Sequence, residues 1–321
     1  MSIAFISFSC NKNDDKITPP SKQNPQTATS TTASTATQTF VTTWSRLEVR
    51  FTKGHSHGYF HGNPDYPVKY LKTVQHFYFN NVNGVPTPAA NNPTAIRWEG
   101  ADVIPEEHHN EAGGDHHDDE DEEEHHNHQH NAGVSLYGIE LIFYDASGKR
   151  INTMLSTGNN PNHYQFFFIA NNFVAVASNT TVPTQAEALN YKYRDTNPEE
   201  LYIKGGAGID KNPNAPKGVL RQEQIGLKGF FEVKRTYINF DLRIILGYFS
   251  SKPADLAYNT VPNNKILDVK IPIHIYTDIL KEYKQVEDAM REFGVSQEEI
   301  EKDQSDILAS NLSPESSGTF L

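Results

Sequence analysis

The sequence predicts an all-β protein: an antiparallel sandwich or barrel-like domain with one long disordered His/acid-rich loop and a short C-terminal helical segment. Three observations predict it. From about residue 44 apolar and polar residues alternate with period two. Gly, Pro and Asn cluster between the alternating runs, as turn chemistry requires. No strand–helix–strand alternation interleaves them, so a doubly wound parallel sheet is not expected.

The elements follow in chain order. In "SRLEVRFT", Leu47, Val49 and Phe51 alternate with Arg46, Glu48 and Arg50, the pattern of a half-buried strand. Further strands are expected at "KTVQHFYF", "VSLYGIELIFYD", "RINTML", "HYQFFFIA", "ELYIK", "GLKGFFEVKRTY", "INFDLRIILGYF" and "ILDVKIPIHIY". "DASGK" reads as a hairpin turn with Gly148 at the positive-φ position. The β domain is therefore placed at 44–277. Residues 278–321 form a C-terminal segment in which Ile279, Tyr283, Val286 and Met290 keep helical spacing. Gly294 breaks that run, and Ser296 with Glu299 spells a capping box for a second helical piece.

The N-terminus reads differently. "MSIAFISFSC" is a short apolar run ending at Cys10, the only cysteine in the chain. It resembles the end of a bacterial lipoprotein signal peptide, so residues 1–9 are expected to be a signal remnant and Cys10 the lipidated residue. The acidic pair Asp14–Asp15 behind it resembles the surface-export signal of Bacteroidota lipoproteins. Residues 10–43 hold Pro, Ser, Thr, Gln and Ala with almost no large apolar side chain, and are expected to be a disordered tether. A lone cysteine allows no intramolecular disulfide and no cysteine-based metal site. No stretch is apolar and long enough to span a bilayer as a helix.

The charge is equally uneven. The chain carries −12, of which residues 106–132, "EEHHNEAGGDHHDDEDEEEHHNHQHNA", supply −11. A general basic surface for nucleic acid is thus excluded. With no apolar residue larger than Ala, the insertion is expected to be a disordered loop. It holds His108, His109, His116, His117, His125, His126, His128 and His130, eight of the chain's fourteen histidines. Imidazole suits Zn²⁺, Cu²⁺ and Ni²⁺, and neighbouring carboxylates attract divalent cations. Similar loops occur in zinc-specific binding proteins of ABC importers and in some zinc permeases. The expected cofactor or cargo is Zn²⁺, with Cu²⁺ or Ni²⁺ as the other choices.

A second histidine group sits in "TKGHSHGYFHGNPD". Gly54–Gly58 has the G-x-S-x-G spacing of a serine nucleophile elbow. The following "GYFHGNPDYP" cannot be the helix that such an elbow needs, and the surrounding sheet is antiparallel, so that reading fails. As a metal site the stretch is coherent. His55 and His57, at i and i+2, share one face of an extended strand. His61 can fold back toward them across the glycines, Asp65 can add an oxygen, and His163 or His76 can complete the set. His274 in "IPIHIY" reads as a satisfied strand histidine. The calcium-loop start at "DKNPNAPKG" fails at Ala215 and Arg221.

"RLEVRFTKGHSHGYFHGNPDYPVKYLKTVQ", "LYGIELIFYDASGKRIN", "HYQFFF" and "IGLKGFFEVKRTYINFDLRI" together resemble a group of Bacteroidota cell-envelope lipoproteins. Those carry a GHxHG…FHG histidine block and a GFKG…FDL strand pair, and the resemblance covers about residues 46 to 250. His55, His57 and His61 match the first block and His163 the first histidine of a downstream motif; Gln165 stands where its second histidine belongs. The resemblance implies an outer-membrane lipoprotein, surface-exposed, with recurrent histidines, and implies no reaction. The expected function is binding of a divalent transition metal for uptake, buffering or delivery, with an outer-membrane transporter or other envelope protein as partner. Two other readings stand beside it. One is a structural or interaction lipoprotein whose β domain binds a protein or glycan. The other is a metallohydrolase with Glu48 or Asp65 as base.

Overall fold

A computed structural model of the chain describes residues 35–56, 59–62, 74–100, 135–175, 181–205 and 213–277, together with 290, 296–299, 302 and 319–321. Cys10, the acidic pair, the loop 106–132, His57, Asp65 and most of the C-terminal helical pattern lie outside the described residues. The compact unit runs from Thr35 to Leu321.

The all-β expectation holds. The unit opens with α1 (Thr35–Thr43), then β1 (Arg46–Ser56), β2 (Phe60–Gly62), β3 (Val74–Val82), β4 (Val85–Pro88), β5 (Ile96–Gly100) and β6 (Ser135–Tyr144). Next come the single turn α2 (Thr153–Ser156), β7 (Tyr164–Ala175), α3 (Gln185–Ala188), β8 (Leu189–Tyr193) and the two-residue strands β9 (Thr196–Asn197) and β10 (Val219–Leu220). β11 (Lys228–Val233), β12 (Ile238–Tyr248) and β13 (Lys265–Thr277) close it.

One sheet has the order β4-β3-β1-β6-β11-β8, with β2 paired to the far end of β1; the second has the order β5-β13-β12-β7. Among the described strands all pairs are antiparallel except β5 with β13. Both sheets turn one apolar face onto a common core. Leu47, Val49 and Phe51 of β1 and Ile139, Leu141 and Phe143 of β6 meet Phe166 and Phe168 of β7 and Leu242 and Ile244 of β12 there. Trp98 of β5 is fully buried between the layers. It stacks on Tyr137 at 5.1 Å and meets Phe51, Phe231 and Phe240 within 6.0 Å. The Gln75 side chain pairs with both backbone groups of Arg97, joining β3 to β5.

Three expectations change. The tether does not extend to 43: Thr35–Thr43 is helical, and Phe40, its one aromatic residue, packs edge-on against Phe143 at 5.1 Å. "RINTML" is no strand. Arg150 bridges Tyr144, closing the "DASGK" turn with Gly148 at φ +82, after which the chain winds into α2. The cause is buried Asn152, whose amide accepts from Phe143 N and donates to Leu141 O, so the backbone leaves the ladder. "ELYIK" forms no strand either; Tyr202 lies across the first sheet, its hydroxyl donating to Glu140. The end of the tail packs on the domain. Thr319–Leu321 pairs with β2, and Leu321 is fully buried with Phe60, Leu136 and Phe230. The capping box is present: Glu299 N donates to Ser296 Oγ, and Ser296 N to Glu299 Oε2, each at 3.1 Å.

Candidate metal centre

β1 outruns its partners. Phe51 is the last of its core residues, and alternation puts Lys53 and His55 next on the same face while Gly54 points to the other. β2 turns back onto this projecting end with Gly54 opposite Gly62, His55 opposite His61 and Ser56 opposite Phe60. Cross-strand partners in an antiparallel pair carry their side chains side by side. The two imidazoles accordingly touch, ring centroids 3.6 Å apart and planes at 68°.

His61 is buried, with Nδ1 3.2 Å from Gly62 O. A proton donated there leaves Nε2 as the lone-pair nitrogen. Phe320 stacks on the His61 ring at 5.8 Å, and β2 is held on its outer edge by the tail. Phe60 N donates to Leu321 O, Leu321 N to Phe60 O and Gly62 N to Thr319 O. On the opposite face Phe60 stacks on Phe230 at 5.5 Å, over Gly54 and Gly138, where any Cβ would strike its ring. The histidine pair thus joins β1 to a short strand that is fastened along both edges and on one face.

Lys53, two residues before His55, ties this end to the rest of the sandwich. Its Nζ donates to Ser135 Oγ at 2.8 Å, lies 3.6 Å from Glu99 Oε2 and sits 5.1 Å over the Tyr137 ring. Glu99 precedes the last residue of β5 and Ser135 is the first of β6. Glu99 and Ser135, at the two roots of the chain segment that includes the His/acid-rich insertion, therefore meet at Lys53, two residues from His55.

The other candidate ligands go elsewhere. His76 stands opposite Arg50 in the β1–β3 register, five residues short of His55, or about 17 Å along a strand. Its Nδ1 is 2.9 Å from Glu48 Oε1 and its ring stacks flat on Tyr78. Glu48 is no base for the pair either. Burial raises its pKa, but hydrogen bonds from His76 and Tyr144 and the charge of Arg50 outweigh this and hold it at about 2. It is the centre of an ion-pair cluster on the outer face of the first sheet.

His163 belongs to the second sheet. Its Nδ1 is 2.9 Å from Phe249 O, its Nε2 is 2.9 Å from Asn159 Nδ2, and its ring stacks on Tyr248. Both nitrogens are committed locally, so the expected fourth ligand is not assembled. Gln165 is buried beside Tyr193. His274 lies opposite Asn239 and Arg97, its pKa lowered by burial and by Arg97.

Among the described residues no three His, Cys, Asp or Glu side chains converge as a metal site. The structure brings together His55 and His61 of the predicted set. Sequence reasoning grouped His55 with His57 by spacing, expected His61 to fold back toward them, and missed Lys53, Ser135 and Phe320. The hairpin register and the returning tail carry no local signal. Compared with known protein families, curated proteins and solved structures, the chain matches none.

Proposed function

We propose that this protein is an envelope lipoprotein, anchored through Cys10, that binds a divalent transition metal, zinc foremost. The pair His55–His61 is the ordered part of its site, with His57 as third ligand. Histidines 108, 109, 116, 117, 125, 126, 128 and 130 serve as a capture arm rooted beside it. The observation that carries the reading is the imidazole pair facing across β1 and β2. Tetrahedral Zn²⁺ with Zn–N bonds near 2.0–2.1 Å holds two ligand nitrogens about 3.3 Å apart. Two rings already in contact reach that spacing by small side-chain rotations, and backbone hydrogen bonds on both edges of β2 fix their strands beforehand. The arm has no such support and must lose chain entropy to converge on an ion, so its sites are weaker. Uptake, buffering or delivery to an outer-membrane transporter are the roles such a carrier serves.

Zinc titration by calorimetry tests this on the full chain and on a chain whose residues 106–132 are replaced by a short Gly-Ser turn. His57→Ala and His61→Ala are then made in the shortened chain. The shortened chain is expected to keep a single tight site, the full chain to add several weak ones, and either substitution to remove the tight one. Binding should weaken as the pH falls through the histidine range, since protonated imidazole cannot ligate. A shortened chain that binds no Zn²⁺, Cu²⁺ or Ni²⁺ at micromolar concentration overturns the reading. The anchor is tested separately: Cys10→Ala should move the protein from the membrane fraction to the soluble one, and unchanged fractionation sinks it.

A further inference from the structure

The second sheet holds a cleft of about 430 Å³ that takes no part in the metal site. It opens where β7 begins, between the connection leading to β11 and the one leaving β12. Its polar lining comes from Asn162, Gln165, Gln222, Glu223 and Gln224. Pro253, Ala254 and Leu256 supply its apolar lining, and Tyr193 and Lys252 complete it.

The chemistry of these groups narrows the ligand. The Lys252 ammonium donates to Gln224 O at 2.6 Å and lies 3.5 Å from Tyr164 O, so its charge is turned onto backbone carbonyls. With Glu223 in the lining, the cleft does not favour an anion. The Tyr193 hydroxyl donates to Phe166 O at 2.7 Å, so that residue offers the cleft its ring. Gln165 and Gln224 are bonded within the fold and the Asn162 Nδ2 donates to Asn159 Oδ1, which leaves Gln222, the Asn162 amide oxygen and the Glu223 carboxylate to meet a ligand beside the apolar lining. A primary amide presents a donor and an acceptor side by side, and a carboxylate accepts from two hydroxyls at once. A ring with adjacent hydroxyls along its edge and C–H groups on its face matches this mixed polar and apolar lining.

The frame is rigid before any ligand arrives, which lowers the entropy lost on binding. Gln224 Oε1 accepts from Asp195 N and its Nε2 donates to Arg221 O. Lys252 N donates to Asn162 O at 3.1 Å, locking the two rims together. The volume lies in the range that small-molecule ligands occupy.

We propose that this cleft binds one neutral pyranose unit of a carbohydrate. Gln222, the Asn162 amide oxygen and Glu223 take its hydroxyls, and Pro253, Ala254 and Leu256 take its C–H face. The test is calorimetry and saturation-transfer NMR on the full chain, with the methyl pyranosides of glucose, galactose, mannose and N-acetylglucosamine as probes. Glucuronate and triglycine are the comparison ligands. At least one neutral pyranoside is expected to bind in the millimolar range, more tightly than either comparison ligand. Gln222 and Glu223 stand exposed on the rim, so Gln222→Ala and Glu223→Ala should leave thermal unfolding unchanged. Each should weaken that binding about tenfold, the loss of one or two ligand hydrogen bonds. The proposal is overturned if no neutral pyranoside binds at tens of millimolar, if binding survives both substitutions, or if glucuronate or triglycine is preferred. The outcome is independent of zinc.

Discussion

Asp195→Ala is expected to destabilise the fold by about 4 kcal/mol, because one buried carboxylate satisfies three backbone donors. Oδ2 accepts from Ile225 N at 2.7 Å and Gly226 N at 2.6 Å, and Oδ1 accepts from Lys228 N at 3.0 Å. Burial raises the Asp195 pKa, opposed by these hydrogen bonds and by the Lys228 charge. Removing the carboxylate orphans three N–H groups in the interior, at about 1–3 kcal/mol each before relaxation. The consequence is not local. Ile225 O accepts from Phe166 N of the second sheet and Leu227 O from Leu141 N of the first, so Asp195 shapes the segment that fastens the two sheets together. For a unit of this size about 4 kcal/mol lowers Tm by about 10 °C. Asp195→Asn retains one acceptor oxygen and should recover about half of the loss. Thermal and urea unfolding of both variants measure it. An Asp195→Ala protein within about 1 kcal/mol of the parent means that the orphaned donors find other acceptors, and Asp195 is not what holds the segment.

The contrast between Asp195 and β1 explains what the sequence discloses. Alternation in "SRLEVRFT" reports a strand because each residue's environment repeats locally, and β1 follows it through Thr52. The "DASGK" turn and the Ser296–Glu299 box are likewise contained within five residues. Asp195, by contrast, acts on donors about thirty residues away, and nothing in "YRDTNP" announces them. β5 was missed for a related reason. "IRWEG" is short, follows a proline-bearing turn, and gains its strand character from parallel pairing with β13, far off in the chain. "RINTML" misled because Ile151 and Leu155 do point inward, but from a turn that Asn152 imposes. The histidine pair was half legible: composition marked the stretch, whereas the partner of His55 depends on hairpin register. The cleft was not legible at all, since amides from two separate segments make no pattern along the chain.

Gly54→Ala is the change that tests whether the histidine pair depends on the close approach of β2. A Cβ at this position would overlap the His61 carbonyl and the edge of the Phe60 ring. The ring cannot retreat across the sheet, because a Cβ-free Gly138 and the face of Phe230 already bound its place. β2 must therefore lift from β1, breaking the Gly54–Gly62 register and pulling His61 away from His55. Overpacking of this kind costs about 1–3 kcal/mol in a filled interior, and the upper end is expected where backbone is struck. The Thr319–Leu321 pairing to β2 should loosen with it. Urea unfolding is expected to show a loss of about 3 kcal/mol. Zinc affinity should fall at least about tenfold, because two ligands on a shared ion tolerate little separation. Adding Phe60→Leu to Gly54→Ala removes the ring clash but not the carbonyl clash, so it should restore part of the stability. The stability readout stands whether or not zinc binds. If Gly54→Ala unfolds like the parent, β2 does not need the glycine; if stability falls while zinc affinity is kept, the facing pair is not the metal site.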